Sequence, residues 1–241
     1  MPNRNMPKLL FIRSLLFLIG QMITAPMFTL LAFLILPLNP ILRNKLISGW
    51  ARSMLWWLKI TCNITHKING LENLPSAPSI ILSKHQSAWE TLAFQAVFPE
   101  QCYVLKRSLL WIPIFGWGLA MSSPIAINRA AGREALKQLV TMGKDRLAKG
   151  LWVVIFPEGT RAAVGKRGKY HLGGAWLATH TGAQVVPVAH NAGTCWPKNG
   201  FIKRPGIITV TIGKPIQSQG RKPDALNSQV EDWIETEMAK L

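Results

Sequence analysis

Short apolar runs alternate with helical periodicity from about Ile68 onward. Some of these runs are almost continuously apolar, which is typical of strands buried on both faces of a sheet; they cover residues 79–83, 102–105, 152–156, 184–189 and 207–212. Between and after them, residues 133–149 and 223–241 carry apolar side chains along one helical face, and Gly150 ends the first of these helices. This alternation predicts an α/β domain with a largely parallel central sheet flanked by helices.

The N-terminal part of the chain has a different pattern. Between Arg13 and Arg43 it carries no charged side chain, and an apolar run of this length is a candidate for crossing a membrane. Both flanks are basic, and the positive-inside rule then favours two cytoplasmic ends. We therefore predict a membrane-embedded hairpin or pair of helices, broken at Pro26, with a single span or a buried core helix as alternatives. The pattern divides the chain into an anchor, residues 1–66, and an α/β domain, residues 67–241.

The charge balance is strongly basic, with 28 Lys and Arg against 11 Asp and Glu and a formal net charge of +17. A field of this sign favours anionic partners, which include phosphates, nucleic acid and an anionic membrane surface. The three cysteines are widely spaced and odd in number, which argues against a disulfide scaffold and against a zinc site. His171, His180 and His190 have no spacing typical of metal ligands either.

A histidine follows the first predicted strand of the α/β domain, in the stretch SKHQSAWET. His85 on the turn and Glu90 in the first turn of the next helix can converge, and a carboxylate on one ring nitrogen fixes the tautomer and stabilises the protonated ring. The alternative is a capping box: in Ser-x-x-Glu, Ser87 caps the helix and Glu90 reaches back to a backbone N–H. The two roles do not exclude each other.

A second motif, FPEGTR, follows the strand predicted at 152–156. Pro157 ends the strand because it removes a ladder donor, and Gly159 permits an unusual backbone path. Arg161 offers a planar fork of donors that suits a phosphate. A simple turn explains the proline and the glycine but not the whole string.

Together these motifs resemble the glycerolipid acyltransferase family. Its first block, His-x4-Asp, is matched by His85 and Glu90, with Glu in place of Asp, and its block Phe-Pro-Glu-Gly-Thr-Arg is matched in full. Two further blocks correspond to IAINR, ending at Arg129, and to VVPVA at 185–189. The order and spacing of the four blocks hold over roughly residues 70–215, and the apolar N-terminal segment resembles family members more loosely.

The resemblance implies transfer of an acyl chain from acyl-CoA or acyl carrier protein to the sn-2 hydroxyl of lysophosphatidate. His85 would act as general base and Glu90 would orient it, without a metal, a cofactor or a covalent acyl-enzyme. Arg161 would bind the acceptor phosphate, helped by Arg129 and Lys106. Glu158 and Thr160 would order the loop or bind the glycerol portion, and Gly159 would let the backbone approach.

The resemblance also implies a location. The expected partners are an anionic phospholipid membrane, lysophosphatidate and the thioester donor, with no nucleic acid. We expect the bacterial inner membrane, with the catalytic domain facing the cytoplasm. Acyl-chain length, the choice between CoA and carrier protein, oligomeric state and the form of the anchor stay open at this stage.

Three other functions are compatible with parts of this pattern. A thioester hydrolase could use the same base to activate water. A related acyltransferase could use glycerol-3-phosphate or another lysolipid as acceptor. A non-catalytic basic module that binds membranes or nucleic acid would explain the charge, but it leaves the coincidence of the two motifs unaccounted for.

Overall fold

The computed structural model describes residues 6–241. A seven-stranded sheet forms the centre of the molecule, in the order β1-β7-β6-β2-β5-β3-β4. The strands are β1 Ile64–Asn69, β2 Ile80–Ser83, β3 Gln101–Lys106, β4 Ile125–Ile127, β5 Trp152–Ile155, β6 Val185–His190 and β7 Gly206–Ile212. The helices are α1 Met6–Leu34, α2 Pro40–Cys62, α3 Trp89–Val97, α4 Phe115–Met121, α5 Arg133–Ala148, α6 Gly173–Thr181, α7 Ala192–Cys195 and α8 Pro223–Met238.

The sheet is largely parallel, as predicted. Strands β6, β2, β5, β3 and β4 run in one direction, and β7 pairs antiparallel with β6 and parallel with β1. The five predicted strands are confirmed to within one or two residues. Two strands were not predicted from the sequence: β1, whose run ITHKIN has four polar residues out of six, and β4, which has only three residues.

Both faces of the sheet are covered. Ile81, Val154 and Val186 point to one side, where they share a core with Leu58 of α2 and Phe94 of α3. The alternate residues of the same strands point to the other side and pack against α5, α6 and α8; they include Ile80, Leu82, Val153, Ile155 and Val185. Because both faces of these strands are buried, their sequences are almost continuously apolar.

The N-terminal segment is a pair of helices, as predicted, but the position of its break is wrong. Helix α1 runs through Pro26 without interruption, and the turn falls after Leu34, with Asn39 capping α2 through a 2.9 Å bond from the Leu42 N–H. A proline removes only one donor, and contacts with α2 hold this stretch helical: the Trp50 and Trp57 indoles donate to Thr24 Oγ1 and the Leu16 carbonyl. Helix α1 is long and apolar enough to cross a membrane, and most of its surface is exposed.

The predicted boundary between residues 66 and 67 falls inside β1. All six residues of this strand pair with β7, so the sheet begins at Ile64, directly after α2. The last turn of α2 is buried against the same core, at Leu58 and Cys62. The two helices therefore join the α/β domain without a linker.

Candidate active site

The two sequence motifs meet at one edge of the sheet. His85 follows the end of β2, and the FPEGTR loop follows the end of the neighbouring strand β5. Lys106 ends β3, which pairs with β5 on its other side. Since these strands are parallel, all three lie at their carboxyl ends, where sites in such sheets form.

His85 and Glu90 form a direct contact. Nδ1 of His85 lies 2.8 Å from Oε1 of Glu90, whose side chain is fully buried. Burial alone would raise the pKa of the Glu90 carboxyl, but the His190 and His85 rings and the Ser87 N–H hold it below its usual range. The ionised carboxylate accepts the proton of Nδ1, which leaves Nε2 of His85 as the ring's proton acceptor. The predicted contact between the His85 and Glu90 side chains is thus present in the structure.

Glu90 also holds the turn before its own helix. Its Oε1 accepts the backbone N–H groups of Gln86 and Ser87, both at 2.8 Å, while Oγ of Ser87 accepts from the Trp89 N–H. The capping role and the orienting role therefore coexist in one carboxylate. Its other oxygen, Oε2, is buried and has no hydrogen-bond partner within residues 6–241.

The FPEGTR loop fixes the backbone of His85 on both sides. The His85 N–H donates to Oε2 of Glu158 at 3.1 Å, and its carbonyl accepts from the Ala162 N–H at 2.7 Å. The Phe156 ring stacks on the imidazole, with centroids 3.9 Å apart and an angle of 14° between the planes. The histidine thus has little freedom to move away from Glu90.

Glu158 orders this loop through bonds to neighbouring groups of the protein. It is buried, and its Oε1 accepts from Nζ of Lys84 and from the Gly168 N–H, both at 2.9 Å. Of the two roles predicted for it, the structure shows the ordering one. Both of its oxygens are bonded inside the protein, and these bonds are the ones that the ordering role requires.

Lys84 is a buried residue of this site that was not predicted from the sequence. Only 1% of its surface is exposed, and Nζ donates to Glu158, to Oε1 of Glu235 at 2.8 Å and to the Lys166 carbonyl at 3.1 Å. The Tyr170 hydroxyl also donates to Glu235, at 2.8 Å. The residue adjacent to His85 is thus tied to the FPEGTR loop and to α8.

The predicted binding residues are distributed around this centre. Arg129 donates to the Gly159 carbonyl, and both line a cavity of about 450 Å³ at the end of β5, with Phe156, Lys169 and His171. Thr160 and Lys106 are exposed. Arg161 does not line this cavity, and its Nε is buried without a partner among the described residues.

His190 is a second buried histidine in this region. Burial lowers the pKa of its ring. Its Nε2–H donates to the Lys84 carbonyl at 2.9 Å, and its Nδ1 accepts from the Ala192 N–H. It supports the loop that carries Lys84 and His85. Across residues 6–241, no three His, Cys, Asp or Glu side chains are grouped as metal ligands.

Comparison with known proteins agrees with this arrangement. A family model described as Acyltransferase matches residues 65–191, which include both motifs. A 1-acyl-sn-glycerol-3-phosphate acyltransferase of Pseudomonas aeruginosa is 43% identical over 95% of this chain and 91% of its own. The enzyme of that name from Saccharomyces cerevisiae is 31% identical over 75% of this chain and 61% of its own. The chain therefore belongs to the acyltransferase family and is an enzyme.

A solved structure shows the same fold. The crystal structure of PlsC, the 1-acyl-sn-glycerophosphate acyltransferase of Thermotoga maritima, superposes with a TM-score of 0.79 at 21% identity. The match covers 95% of this chain and 94% of that one, so it includes the N-terminal helices as well as the sheet. At this identity the likeness concerns the fold alone.

Proposed function

We propose that this enzyme transfers a fatty acyl chain from acyl-CoA or acyl carrier protein to the sn-2 hydroxyl of lysophosphatidate, which gives phosphatidate. The observation that carries the proposal is the 2.8 Å contact between His85 Nδ1 and the buried carboxylate of Glu90. The names of the relatives supply the acceptor, since they act on 1-acyl-sn-glycerol-3-phosphate.

In the proposed mechanism, Nε2 of His85 takes the proton from the acceptor hydroxyl as that oxygen attacks the thioester carbonyl. Glu90 keeps the tautomer in which Nε2 can accept, and it stabilises the imidazolium that develops. The tetrahedral intermediate then collapses, the C–S bond breaks, and the proton on Nε2 goes to the leaving thiolate. The products are the ester and the free thiol, and His85 is neutral again.

The acceptor phosphate is proposed to bind in the cavity beside the FPEGTR loop. Arg129, Lys169 and His171 line this cavity and carry or can carry positive charge, whereas no carboxylate lines it. Arg161, in the FPEGTR loop, and Lys106, at the end of β3, lie at the same edge of the sheet and are proposed to help. Guanidinium groups suit this role because their planar donor forks match phosphate oxygens.

We propose that the enzyme resides at a membrane through α1. The exposed face of this helix is apolar, with large side chains such as Met22, Ile23 and Leu30 open to the surroundings. Lysophosphatidate and phosphatidate are themselves bilayer lipids. An embedded α1 therefore keeps the cleft where its acceptor lies, and we propose the bacterial inner membrane with the catalytic domain on the cytoplasmic side.

The test is release of thiol from an acyl thioester by the detergent-purified protein, with and without lysophosphatidate. We expect release that depends on lysophosphatidate and is lost in His85→Ala. Arg129→Ala is expected to raise KM for the acceptor more than it lowers kcat. Release without an acceptor would instead indicate a hydrolase, and a folded protein that turns over no donor and no lysolipid would contradict the proposal.

A further inference from the structure

The segment that follows β3 presents a group of exposed apolar side chains. It consists of a short 3-10 turn, Arg107–Trp111, and helix α4, and we call residues 107–121 the aromatic segment. Trp111 is 80% exposed, and four further large side chains are also open, namely Ile112, Ile114, Phe115 and Trp117. Five such side chains within seven residues form a patch rather than a scatter of single exposed residues.

The backbone of this segment is compact and holds the side chains outward. Ile114 has φ 65° and ψ −61°, a conformation that a β-branched residue rarely adopts. The turn is closed by the Gly116 N–H, which donates to the Ile112 carbonyl at 2.7 Å. A side chain at Gly116 would collide with the Leu110 carbonyl, 2.4 Å from the Cβ position. The surrounding structure therefore imposes this shape.

The aromatic segment adjoins α1. Thr29 of α1 donates to the Ile114 carbonyl, and its Oγ1 lies 3.0 Å from the Cβ position of Gly118 in α4. The neighbouring residues of α1 are themselves exposed and apolar, among them Met27, Leu30 and Leu31. The apolar surface of α1 therefore continues onto the catalytic domain.

The charges around the patch are of one sign. Residues 101–133 contain no Asp or Glu, whereas Lys106, just before the segment, and Arg107, its first residue, are exposed. Tryptophans beside Lys or Arg are typical of the headgroup layer of a membrane, where the rings meet the lipid and the cations meet the phosphates. The occupant that fits this surface is an anionic lipid leaflet.

We propose that the aromatic segment inserts into the same leaflet as α1 and forms a second membrane contact, made by the catalytic domain itself. This inference rests on the proposed membrane residence of α1. The segment begins at the end of β3, the same sheet edge from which His85 and the FPEGTR loop emerge. Insertion at Trp111 and Trp117 therefore orients this edge toward the headgroups, where the acceptor hydroxyl lies.

The experiment places a label at single positions of the full chain in vesicles. The native cysteines Cys62, Cys102 and Cys195 are all buried, so an introduced surface cysteine can be labelled selectively. Trp111→Cys and Trp117→Cys carry a fluorophore, and the vesicles of phosphatidylethanolamine and phosphatidylglycerol contain a lipid-borne quencher. Ile23→Cys on α1 reports whether the helix is embedded.

Leu71→Cys is the matched control. Leu71 is an exposed apolar residue that follows β1, and β1 runs opposite to β2, so Leu71 lies at the sheet edge away from His85. We expect the labels at 111 and 117 to be quenched like that at 23, and the label at 71 to be unaffected. Two different substituted positions guard against a local effect of one substitution.

Two results would overturn the inference, and they differ in what they say about the enzyme. Quenching at 23 without quenching at 111 and 117 leaves the membrane residence of α1 intact and shows that the aromatic segment meets water, a partner protein or a second copy. The absence of quenching at all four positions removes the membrane residence as well.

A kinetic comparison gives an independent readout. We measure the ratio of activity on lysophosphatidate in phosphatidylglycerol-containing vesicles to activity on lysophosphatidate in detergent micelles. Loss of two inserted indoles in Trp111→Ser/Trp117→Ser is expected to lower this ratio by at least about tenfold, since burial of even one large apolar side chain changes partitioning by roughly tenfold or more. Leu71→Ser leaves the ratio unchanged. An unchanged ratio in the double variant would count against the inference.

Discussion

Nζ of Lys84 lies 2.8 Å from Oε1 of Glu235, a residue 151 positions further along the chain. The same ammonium group also bonds Glu158. Lys84, the residue before His85, therefore links the His85 turn to the FPEGTR loop and to α8. Removing any one of these three charges leaves a buried charge without its partner, which destabilises the fold. The ammonium group and the two carboxylates therefore stabilise the fold together. The position of His85 therefore depends on an acid in the last helix.

Lys84→Met tests this dependence. Removal of the ammonium leaves Glu158 buried and unpaired, so we expect the free energy of unfolding to fall by about 3–5 kcal/mol. Chemical denaturation in detergent measures this change. Glu235→Gln keeps an acceptor for Tyr170 and Lys84 and should cost less than Lys84→Met.

Lys149→Met is the control, because Lys149 pairs with Asp145 on the exposed surface of α5. Loss of a surface ion pair changes stability by about 0–1 kcal/mol. Equal changes in the free energy of unfolding in Lys84→Met and Lys149→Met would show that the buried network stabilises the fold no more than a surface ion pair does.

Glu90→Gln tests the orienting carboxylate. The amide keeps the size of the side chain but cannot stabilise the imidazolium, so kcat is expected to fall by about 10²–10⁴-fold, close to the loss in His85→Ala. Steady-state kinetics on acyl thioester and lysophosphatidate give the values. If Glu90→Gln retains wild-type kcat, Glu90 serves only as a helix cap.

Glu90→Asp tests the departure from the His-x4-Asp pattern. The shorter side chain retracts a carboxylate that bonds His85, Gln86 and Ser87 at 2.8 Å each, so we expect partial activity between wild type and Glu90→Gln. Thermal unfolding measured in parallel separates a kinetic effect from loss of the turn. Full activity would mean that the turn moves to follow the carboxylate.

The pH dependence of stability follows from the same residue. The folded pKa of Glu90 lies below its ordinary value of 4.5, so its ionised form stabilises the fold fully above that value. This contribution is lost as the pH falls through the lowered folded pKa. Denaturation of wild type and Glu90→Gln between neutral and acidic pH should show the two curves converging at low pH. A constant difference would contradict the assignment.

Gly159→Ala tests the backbone path of the FPEGTR loop. Gly159 has φ 67°, and its Cβ position lies 3.2 Å from Nη1 of Arg129, so alanine adds backbone strain of about 1–2 kcal/mol and presses on the arginine. Gly165→Ala is a matched control, since Gly165 has φ 72° and no atom within 4 Å of its Cβ position. We expect both to lower stability and only Gly159→Ala to raise KM for lysophosphatidate clearly. A similar KM in both variants would exclude Arg129 from acceptor binding.

The fold was predictable to the extent that burial shows in the sequence. The interior strands β2, β5 and β6 carry buried apolar residues throughout, apart from Ser83 and His190 at their ends, so their runs are unmistakable. Strand β1 was missed because it lies at the edge of the sheet and carries three consecutive polar residues, Thr65, His66 and Lys67. The break at Pro26 was wrong because indole contacts from α2 hold the helix, and these contacts do not appear in a local pattern.

The site was predictable where its residues lie close in sequence. His85 and Glu90 are five residues apart, and their spacing on a turn and a helix start already suggested contact. Lys84, Glu235 and Tyr170 come from distant segments, and nothing local distinguishes Glu235 from the other acids of α8. Glu158 was recognised because its motif is visible in the sequence, with loop ordering and glycerol binding as its two predicted roles. Its partner Lys84 was not predicted, because nothing local links the two residues.

The tie between Lys84 and Glu235 also concerns the order in which the enzyme is made. Helix α1 leaves the ribosome first and can enter the membrane early, whereas Glu235 emerges about 150 residues after Lys84. Until then the ammonium group lacks one of its two carboxylates, and the loop that bears His85 is not locked. The nascent chain can therefore reach a membrane before the loop that bears His85 is locked, and we expect acyl transfer to require the docking of α8.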